Sequence, residues 1–426
     1  MNIIISGINY KAAPLKIRER LSLSPQEQRE ALAAVKAIPR VKECVILSTC
    51  NRTEVYIHFD SKIAAQNKFD CMEIEKVLCE VKNEKLYELK KYFYTYSGVN
   101  AVRHLFQVAS GLDSMILGED QILGQVKSAH QASLKAGAGA SVLNTLFRDA
   151  VTAAKEIKTR TELSQNSISV GSIAVKSVLQ LCGGQLDNQC ALVIGTGKIG
   201  SIVLKNLCAN GIGKIIVTNR SHGKLEDLSK LHPNVHLVGY EQRYSVMDEC
   251  DIVISSTSSP HYTITRDMLE KSLIARKERI FIDLAVPRDM DEEISGITGV
   301  RYFNMDQLET AADENLDKRM TEAVKAREMI HHYVMEFEKW YEFRKALPVV
   351  KDIQKYADEL SREKAEKVIG KLKNASKEDK EAVKHCITNT VNEILNKFVY
   401  GVKENGSKDE IKAYFECLRD IVKENG

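Results

Sequence analysis

Two short stretches carry residue types that could do chemistry together. In "ILSTCNRTEVY" (46–56) the thiol of Cys50 follows an apolar run ending at Leu47 and stands two residues before Arg52. A fixed positive charge favours the thiolate, which is the nucleophilic form of cysteine, although most buried cysteines are inert filler. In "ALVIGTGKIGSIVLKNL" (191–207) Gly195, Gly197 and Gly200 follow an apolar strand and precede a helix. With Thr196, Lys198 and Ile199 between them, they form a dinucleotide-binding turn that brings a pyrophosphate to a helix N-terminus. The end of the following strand reads Thr218, Asn219, Arg220, Ser221, with no carboxylate. An Asp or Glu there would bind a ribose hydroxyl and repel a 2′-phosphate. Asn219, Arg220 and Ser221 suit the phosphate instead, so the expected cofactor is NADPH. A thiol nucleophile with a hydride donor amounts to acyl chemistry, in which a thioester forms on cysteine and is reduced to an aldehyde.

The chain that must position these residues has 426 of them, enough for two or three domains. Net charge is +3, which permits an anionic partner without demanding one. Its ten cysteines include no CxxC pair, so a zinc ribbon or thioredoxin motif has no support, and free thiols in this number suit a reducing cytoplasm. "MNIIISGINY" reads as a strand and not as a signal peptide. No run of about 18 apolar residues occurs, so no membrane span is expected. His331 and His332 lack a carboxylate–histidine spacing, and no metal is expected.

The first hundred residues alternate short strands ("IIISGI", "CVILS", "EVYIHF") with helical segments, an α+β pattern. Residues from about 100 to 180 read as mostly helical. From Cys190 the runs "CALVIG", "KIIVTN", "DIVISST" and "RIFIDLA" alternate with helices, which predicts a parallel sheet. Between 303 and 347 there is no Gly or Pro, and apolar residues recur at spacings of 3, 4 or 7. That predicts one helix of about 65 Å ended or kinked by Pro348. Helical segments follow, with capping-box spacing at Ser376/Asp379 and Ser407/Glu410.

The chain resembles the glutamyl-tRNA reductases. The likeness lies in "GINYKAAP" (7–14), "STCNRTEVY" (48–56), "GLDSMILGEDQILGQVK" (111–127), "LVIGTGKIG" (192–200), "DIVISSTSSP" (251–260) and "FIDLAVPRD" (281–289), running from residue 1 to about 345. The resemblance implies an α/β multidomain chain: an α+β catalytic domain (1–160) that binds glutamyl-tRNA, a Rossmann-like NADPH domain (165–302), a spinal helix (303–347) and an all-helical dimerisation domain (348–426). It implies that Cys50 takes the glutamyl group from its tRNA and that NADPH reduces the thioester to glutamate-1-semialdehyde, the first step of tetrapyrrole synthesis. Thr49, Asn51, Arg52, Ser114, Glu119, Asp120, Gln121 and Gln125 then contact substrate, with Arg52 for the side-chain carboxylate, and His104 acts near the thiol. The implied assembly is a cytoplasmic homodimer, with room for docking by glutamate-1-semialdehyde aminomutase, and with no role for DNA or membrane. Tyr10 stands where the family commonly has His, and Asp120 where it has Pro. Arg148, Lys155, Lys158 and Arg160 share a helix face that is either solvated or in contact with tRNA. Two rivals are a small-molecule NADP dehydrogenase and a non-catalytic tRNA-binding protein. The first leaves Cys50 and the 111–127 segment unexplained. The second leaves the intact thiol and glycine motifs unexplained.

Overall fold

The structure, a computed structural model, describes residues 1–60, 69–115, 117–119, 121–161, 163, 169–220, 233–309, 316–372 and 375–424. The N-terminal body is built on an antiparallel sheet of β1 (Ile3–Asn9), β2 (Val41–Ser48), β3 (Arg52–Phe59) and β4 (Tyr94–Ser97), ordered β2-β3-β1-β4. β1 is buried along its whole length and β3 nearly so, which is why their apolar runs alternate so little. Helix α1 (Leu15–Leu21) follows β1. Helix α2 (Pro25–Ala37) starts at a Ser24–Glu27 capping box with Pro25 at its first position. Further helices are α3 (Met72–Val81), α4 (Leu86–Leu89), α5 (Val99–Ala109), α6 (Gln121–Lys135) and α7 (Ser141–Arg160). The buried carboxylate of Glu43 on β2 accepts from the amides of Val142 and Leu143 at 3.0 and 2.7 Å, tying the start of α7 to the sheet. β4 escapes the sequence reading because "YTYS" is a short, largely exposed edge strand.

Helix α8 (Val170–Leu181) leads into a six-stranded parallel sheet. Its strands are β5 (Cys190–Ile194), β6 (Lys214–Thr218), β7 (Val235–Val238), β8 (Ile252–Ser255), β9 (Arg279–Asp283) and β10 (Val300–Asn304), in the order β10-β9-β8-β5-β6-β7. This is a doubly wound dinucleotide-binding topology, and the order reverses between β5 and β8. Helix α9 (Lys198–Ala209) follows β5, and α10 (Arg266–Ser272) follows β8. One core packs α8, α9 and one face of the sheet with Met305 and Leu308 of α11 (Met305–Glu309). The other face packs Leu192, Ile194, Val253 and Phe281 against Met247, Ile264 and Leu269.

The helix expected over 303–347 is displaced at both ends. Residues 300–304 are instead the strand β10, paired in parallel with β9 from Val300↔Arg279 to Asn304↔Asp283. The long helix α12 runs from Leu316 to Lys371 with Pro348 inside it. Its 56 residues correspond to about 84 Å. Proline removes one helical hydrogen bond and crowds the preceding turn. Here Phe343, Ala346 and Val350 on both sides of it are buried in one core with Val399, Ile411 and Phe415, and that packing outweighs the local penalty. Two compact units divide within α12, at Met329/Ile330. The second is completed by α13 (Lys377–Asn405) and α14 (Lys408–Glu424). The expected capping pairs are present: Ser376 and Asp379 cap α13, and Ser407 and Glu410 exchange bonds at the start of α14.

Candidate active site

Cys50 sits at the tip of the β2–β3 hairpin. Ser48 pairs with Thr53, and the Thr49 amide donates to the Arg52 carbonyl at 2.8 Å, leaving Cys50 and Asn51 as the turn. The Thr49 hydroxyl oxygen accepts from the amides of Asn51 and Arg52, both at 3.2 Å. Thr49 therefore shapes the turn that presents the half-buried thiol. The Asn51 carbonyl accepts from the Tyr10 amide at 2.9 Å. From α1, Arg18 donates Nη1–H to the Cys50 carbonyl at 3.2 Å and to Asn51 Oδ1 at 2.6 Å.

Arg52 is not free to charge the thiol's surroundings. Its Nη1 donates to Glu54 Oε1 at 2.8 Å and to Asp113 Oδ2 at 3.0 Å, and its Nη2 donates to the Asp113 carbonyl. Glu54 is fully buried and is the hub of the network, taking His104 Nε2 at 2.9 Å and the hydroxyls of Tyr94 and Tyr56. Full burial alone would raise its pKa, yet Arg52 and His104 hold its carboxyl well below the usual carboxylate range. His104 thus lies behind the Arg52–Glu54 pair, with the Tyr96 ring 4.8 Å away, and its bond is to Glu54 and not to the thiol. The sequence reading gave Glu54 no role. Its signal was available: two opposite charges at i and i+2 share one face of a strand, among apolar neighbours. Asp113 was missed in the same way. Its carboxylate bridges Arg52 and Lys11.

One narrow cleft gathers Thr49, Cys50, Asn51, Arg52, Ser114, Glu119, Gln121, Ile122 and Gln125. The expected substrate-contacting residues that the structure describes therefore meet around the thiol. Asp120 lies outside the described residues, and His104 is not among the lining residues. Burial pushes the Glu119 carboxyl up, with the Ser114 hydroxyl working the other way. Gln121 and Gln125, one turn apart on α6, also line a neighbouring cleft of about 380 Å³ with Gln28, Ser48, Ser128 and Lys198. Lys198 is the first residue of α9, so the glycine turn and the thiol's surroundings adjoin.

The glycine turn opens on a larger cleft of about 790 Å³, lined by Gly195, Thr196, Gly197, Asn219, Arg220, Tyr240 and the run 256–259 after β8. It lies at the switch point of the sheet, where such folds bind ligands. Gly195 has φ +90°, and a Cβ on Gly200 would stand 2.0 Å from the Gly195 carbonyl oxygen. Gly197 differs: its Cβ would meet nothing within 4 Å, which leaves room for a pyrophosphate against the backbone. Ile199 packs against the core below and positions the helix start. Asn219 Nδ2–H donates to the Thr196 hydroxyl at 2.9 Å. The exposed Arg220 stacks 4.9 Å from the Tyr240 ring centroid and donates to the Ser259 hydroxyl at 3.2 Å. Beneath it, Asp289 accepts from the Ser255 hydroxyl at 2.6 Å and the Thr257 amide at 2.7 Å, fixing the loop after β8. These residues fit a dinucleotide, with the cation Arg220 lining the cleft beside the glycine turn. Ser221 lies outside the described residues.

On α7, Arg148, Lys155, Lys158 and Arg160 are exposed, and Arg160 pairs with Glu156 at 3.1 Å. No group of metal-binding side chains occurs among the described residues. No helix among them is long and apolar enough to cross a membrane.

Three family models match along the chain. That for "Glutamyl-tRNAGlu reductase, N-terminal domain" covers 6–161, "Shikimate / quinate 5-dehydrogenase" covers 176–311, and "Glutamyl-tRNAGlu reductase, dimerisation domain" covers 325–423. The chain is 34% identical to the glutamyl-tRNA reductase of Pelotomaculum thermopropionicum, over 99% of this chain and 94% of that one. It is 32% identical to that of Clostridium novyi, over 99% and 100%. Among solved structures, it is similar to the glutamyl-tRNA reductase from Methanopyrus kandleri, with TM-score 0.50, 26% identity and full coverage of both chains.

Proposed function

The chain belongs to the glutamyl-tRNA reductases, and from that premise we propose that Cys50 is the nucleophile that carries the glutamyl group during reduction. As a member of that family it converts glutamyl-tRNA to glutamate-1-semialdehyde at the head of tetrapyrrole synthesis. Its nucleotide-binding fold serves an NAD(P) cofactor, and its dimerisation domain makes it a homodimer. The observation that carries the finer reading is the cleft in which Cys50 meets Thr49, Asn51, Arg52, Ser114, Glu119, Gln121 and Gln125.

The Cys50 thiolate attacks the carbonyl carbon of the aminoacyl ester. A carbon–sulfur bond forms, the ester carbon–oxygen bond breaks, and the tRNA ribose oxygen leaves with a proton. No ATP is needed, because an aminoacyl ester is already activated. Thr49 holds the hairpin tip so that the thiol projects into the cleft. Gln121 and Gln125 supply amide groups for the glutamyl moiety. Arg52 can receive a carboxylate of the substrate by exchanging Asp113 for it while keeping Glu54. His104, tied to Glu54, is the group from which a proton can reach the site.

NADPH, when bound, supplies the hydride that turns the thioester into the aldehyde and frees the thiol. Gly195, Thr196, Gly197, Lys198, Ile199 and Gly200 would hold its pyrophosphate, and Asn219, Arg220 and Ser221 its phosphorylated ribose. The adjoining cleft at Lys198 offers the path between the two sites, and its closure would exclude water, which competes for a thioester. The same reading places the enzyme in the cytoplasm, with an aminomutase as the consumer of the aldehyde. It also keeps the N-terminal, nucleotide-binding and helical parts as functional divisions, with β10 and α11 in the second and the helical part starting at Ile330.

The test is incubation with labelled glutamyl-tRNA. Without NADPH, label should accumulate on Cys50; with NADPH, it should leave as aldehyde. Cys50→Ser should abolish both while the fold survives. Label on Cys44, whose thiol burial pushes up to about 12, would overturn the assignment.

A further inference from the structure

Helix α1 sends two consecutive charged side chains across to the parallel-sheet body. Arg18, whose side chain is 2% exposed, donates Nη2–H to both carboxylate oxygens of Asp306 at 2.6 and 2.8 Å. Its other hand, Nη1, is the one on Asn51 Oδ1 and the Cys50 carbonyl. Glu19 Oε1 accepts from the backbone amide of Arg288 at 2.8 Å and from its Nε–H at 2.9 Å. Asp306 lies in the first turn of α11, whose Met305 and Leu308 belong to the core that also holds β5 and α9. Arg288 lies four residues before the start of the Glu292–Gly296 turn and donates to Glu292 as well. A single buried guanidinium therefore grips the nucleophile's turn on one side and the cofactor-binding body on the other.

The geometry points to a two-point dock, Arg18–Asp306 and Glu19–Arg288, through which seating of the parallel-sheet body fixes the Cys50 turn. Asp306 is then a positioning residue for the reduction step. This inference rests on the thioester reading above. A thioester is divided between reduction and hydrolysis, so the turn that bears it must be held still while the two bodies are together. When they part, Arg18 keeps two neutral acceptors, the Cys50 carbonyl and the Asn51 amide oxygen, but loses its only bidentate carboxylate among its hydrogen-bond partners. A buried cation without its counter-charge is pulled toward water, and the turn loosens with it. The device thus links the position of one body to the rigidity of a turn in the other.

The test uses the full chain, with Asp306→Ala, Asp306→Glu and Glu19→Gln, each given labelled glutamyl-tRNA. Three readouts are taken: acylation of Cys50 without NADPH, the ratio of aldehyde to free glutamate with NADPH, and hydrogen exchange of amides 49–53. Asp306 is partly exposed, so the variants should fold. Asp306→Ala should acylate within about threefold of the parent rate. Its product ratio should move about tenfold toward glutamate, the low end for a charge-assisted bond, and amides 49–53 should exchange faster. Asp306→Glu should recover most of the ratio, and Glu19→Gln should shift it in the same direction as Asp306→Ala. An unchanged ratio with unchanged exchange in Asp306→Ala overturns the dock. So does a proportional loss of acylation and reduction that Asp306→Glu does not relieve, since that would mark support of the fold alone. If the parent forms no acyl-enzyme on Cys50, the thioester reading fails by itself, and the exchange measurement still decides whether Asp306 fixes the turn.

Discussion

Replacing Glu54 by Gln keeps the size of the side chain and one acceptor oxygen while deleting the charge at the centre of the Arg52 network. The buried Arg52, its side chain 1% exposed, loses one of two carboxylates, the one at 2.8 Å; Asp113 at 3.0 Å remains. Breaking a buried ion pair from one side costs about 3–5 kcal/mol, and the surviving carboxylate puts this case near about 3 kcal/mol. The Tyr56 or Tyr94 hydroxyl would also face an amide N–H and must turn to accept from it. With a urea dependence of about 2.5 kcal/mol per M, the midpoint for the N-terminal body should fall by about 1.2 M. Urea-dependent exchange of amides in β2 and β3 reads this body separately from the helical unit. The pH dependence has a definite sign. A carboxyl held below its unfolded value stabilises fully above the ordinary range near pH 4–5, and that contribution is lost as pH falls toward the folded value. The gap between parent and variant should therefore stay flat from pH 8 to about 5 and narrow only in stronger acid. A midpoint shift below about 0.3 M, or a gap that closes between pH 8 and 6, would refute the assignment of Glu54 as the charged hub.

His104→Asn should slow turnover about 100-fold or more under single-turnover conditions if the ring moves a proton; a loss under about fivefold with normal acylation would reduce it to a support for Glu54. Arg220→Ala should weaken NADPH about tenfold or more and leave NADH nearly unchanged, as read by fluorescence titration; equal losses would move Arg220 from the phosphate to the adenine. Gly197→Ala should melt with the parent yet bind nucleotide about tenfold more weakly, because its Cβ enters open space on the cofactor side. Gly200→Ala should lose both stability and binding, since its Cβ meets the Gly195 carbonyl; calorimetry on both variants separates the two cases.

What the sequence revealed tracks how local the governing physics is. The glycine turn was legible because Gly200 answers to the Gly195 carbonyl five residues back, although Gly195 itself lies against Ser256 and Thr257 from the loop after β8; the four internal strands of the parallel sheet were legible because both faces are buried. The edge strands β4, β7 and β10 were not, for an edge is half solvated and carries weak pattern. Residues 303 and 304 looked like the start of a helix because the pairing of β10 with β9 is settled more than twenty residues away. Pro348 was read as an end or a kink for the same reason: the packing of Phe343 and Val350 against Val399 and Phe415 is invisible in the local spacing. Around the thiol, the described residues brought by resemblance line one cleft, except His104, which lies behind Arg52 on Glu54. Their charges had to be seen in three dimensions. Arg52 proved to be matched by Glu54 and Asp113, and the guanidinium that reaches the Cys50 peptide came from Arg18, 32 residues upstream.

Gln121 and Gln125 line both the cleft of the thiol and the cleft that reaches Lys198. On the proposed reading, the choice of acyl group and the approach of the reductant therefore share the same two side chains. On that reading a substitution there is pleiotropic: widening the choice of acyl group would also disturb the approach of the reductant. Lineages that drift at either glutamine would need a second change across the shared wall, at Ser128 or Lys198, before the first could be kept. The order in which such changes can accumulate is then constrained by one turn of helix.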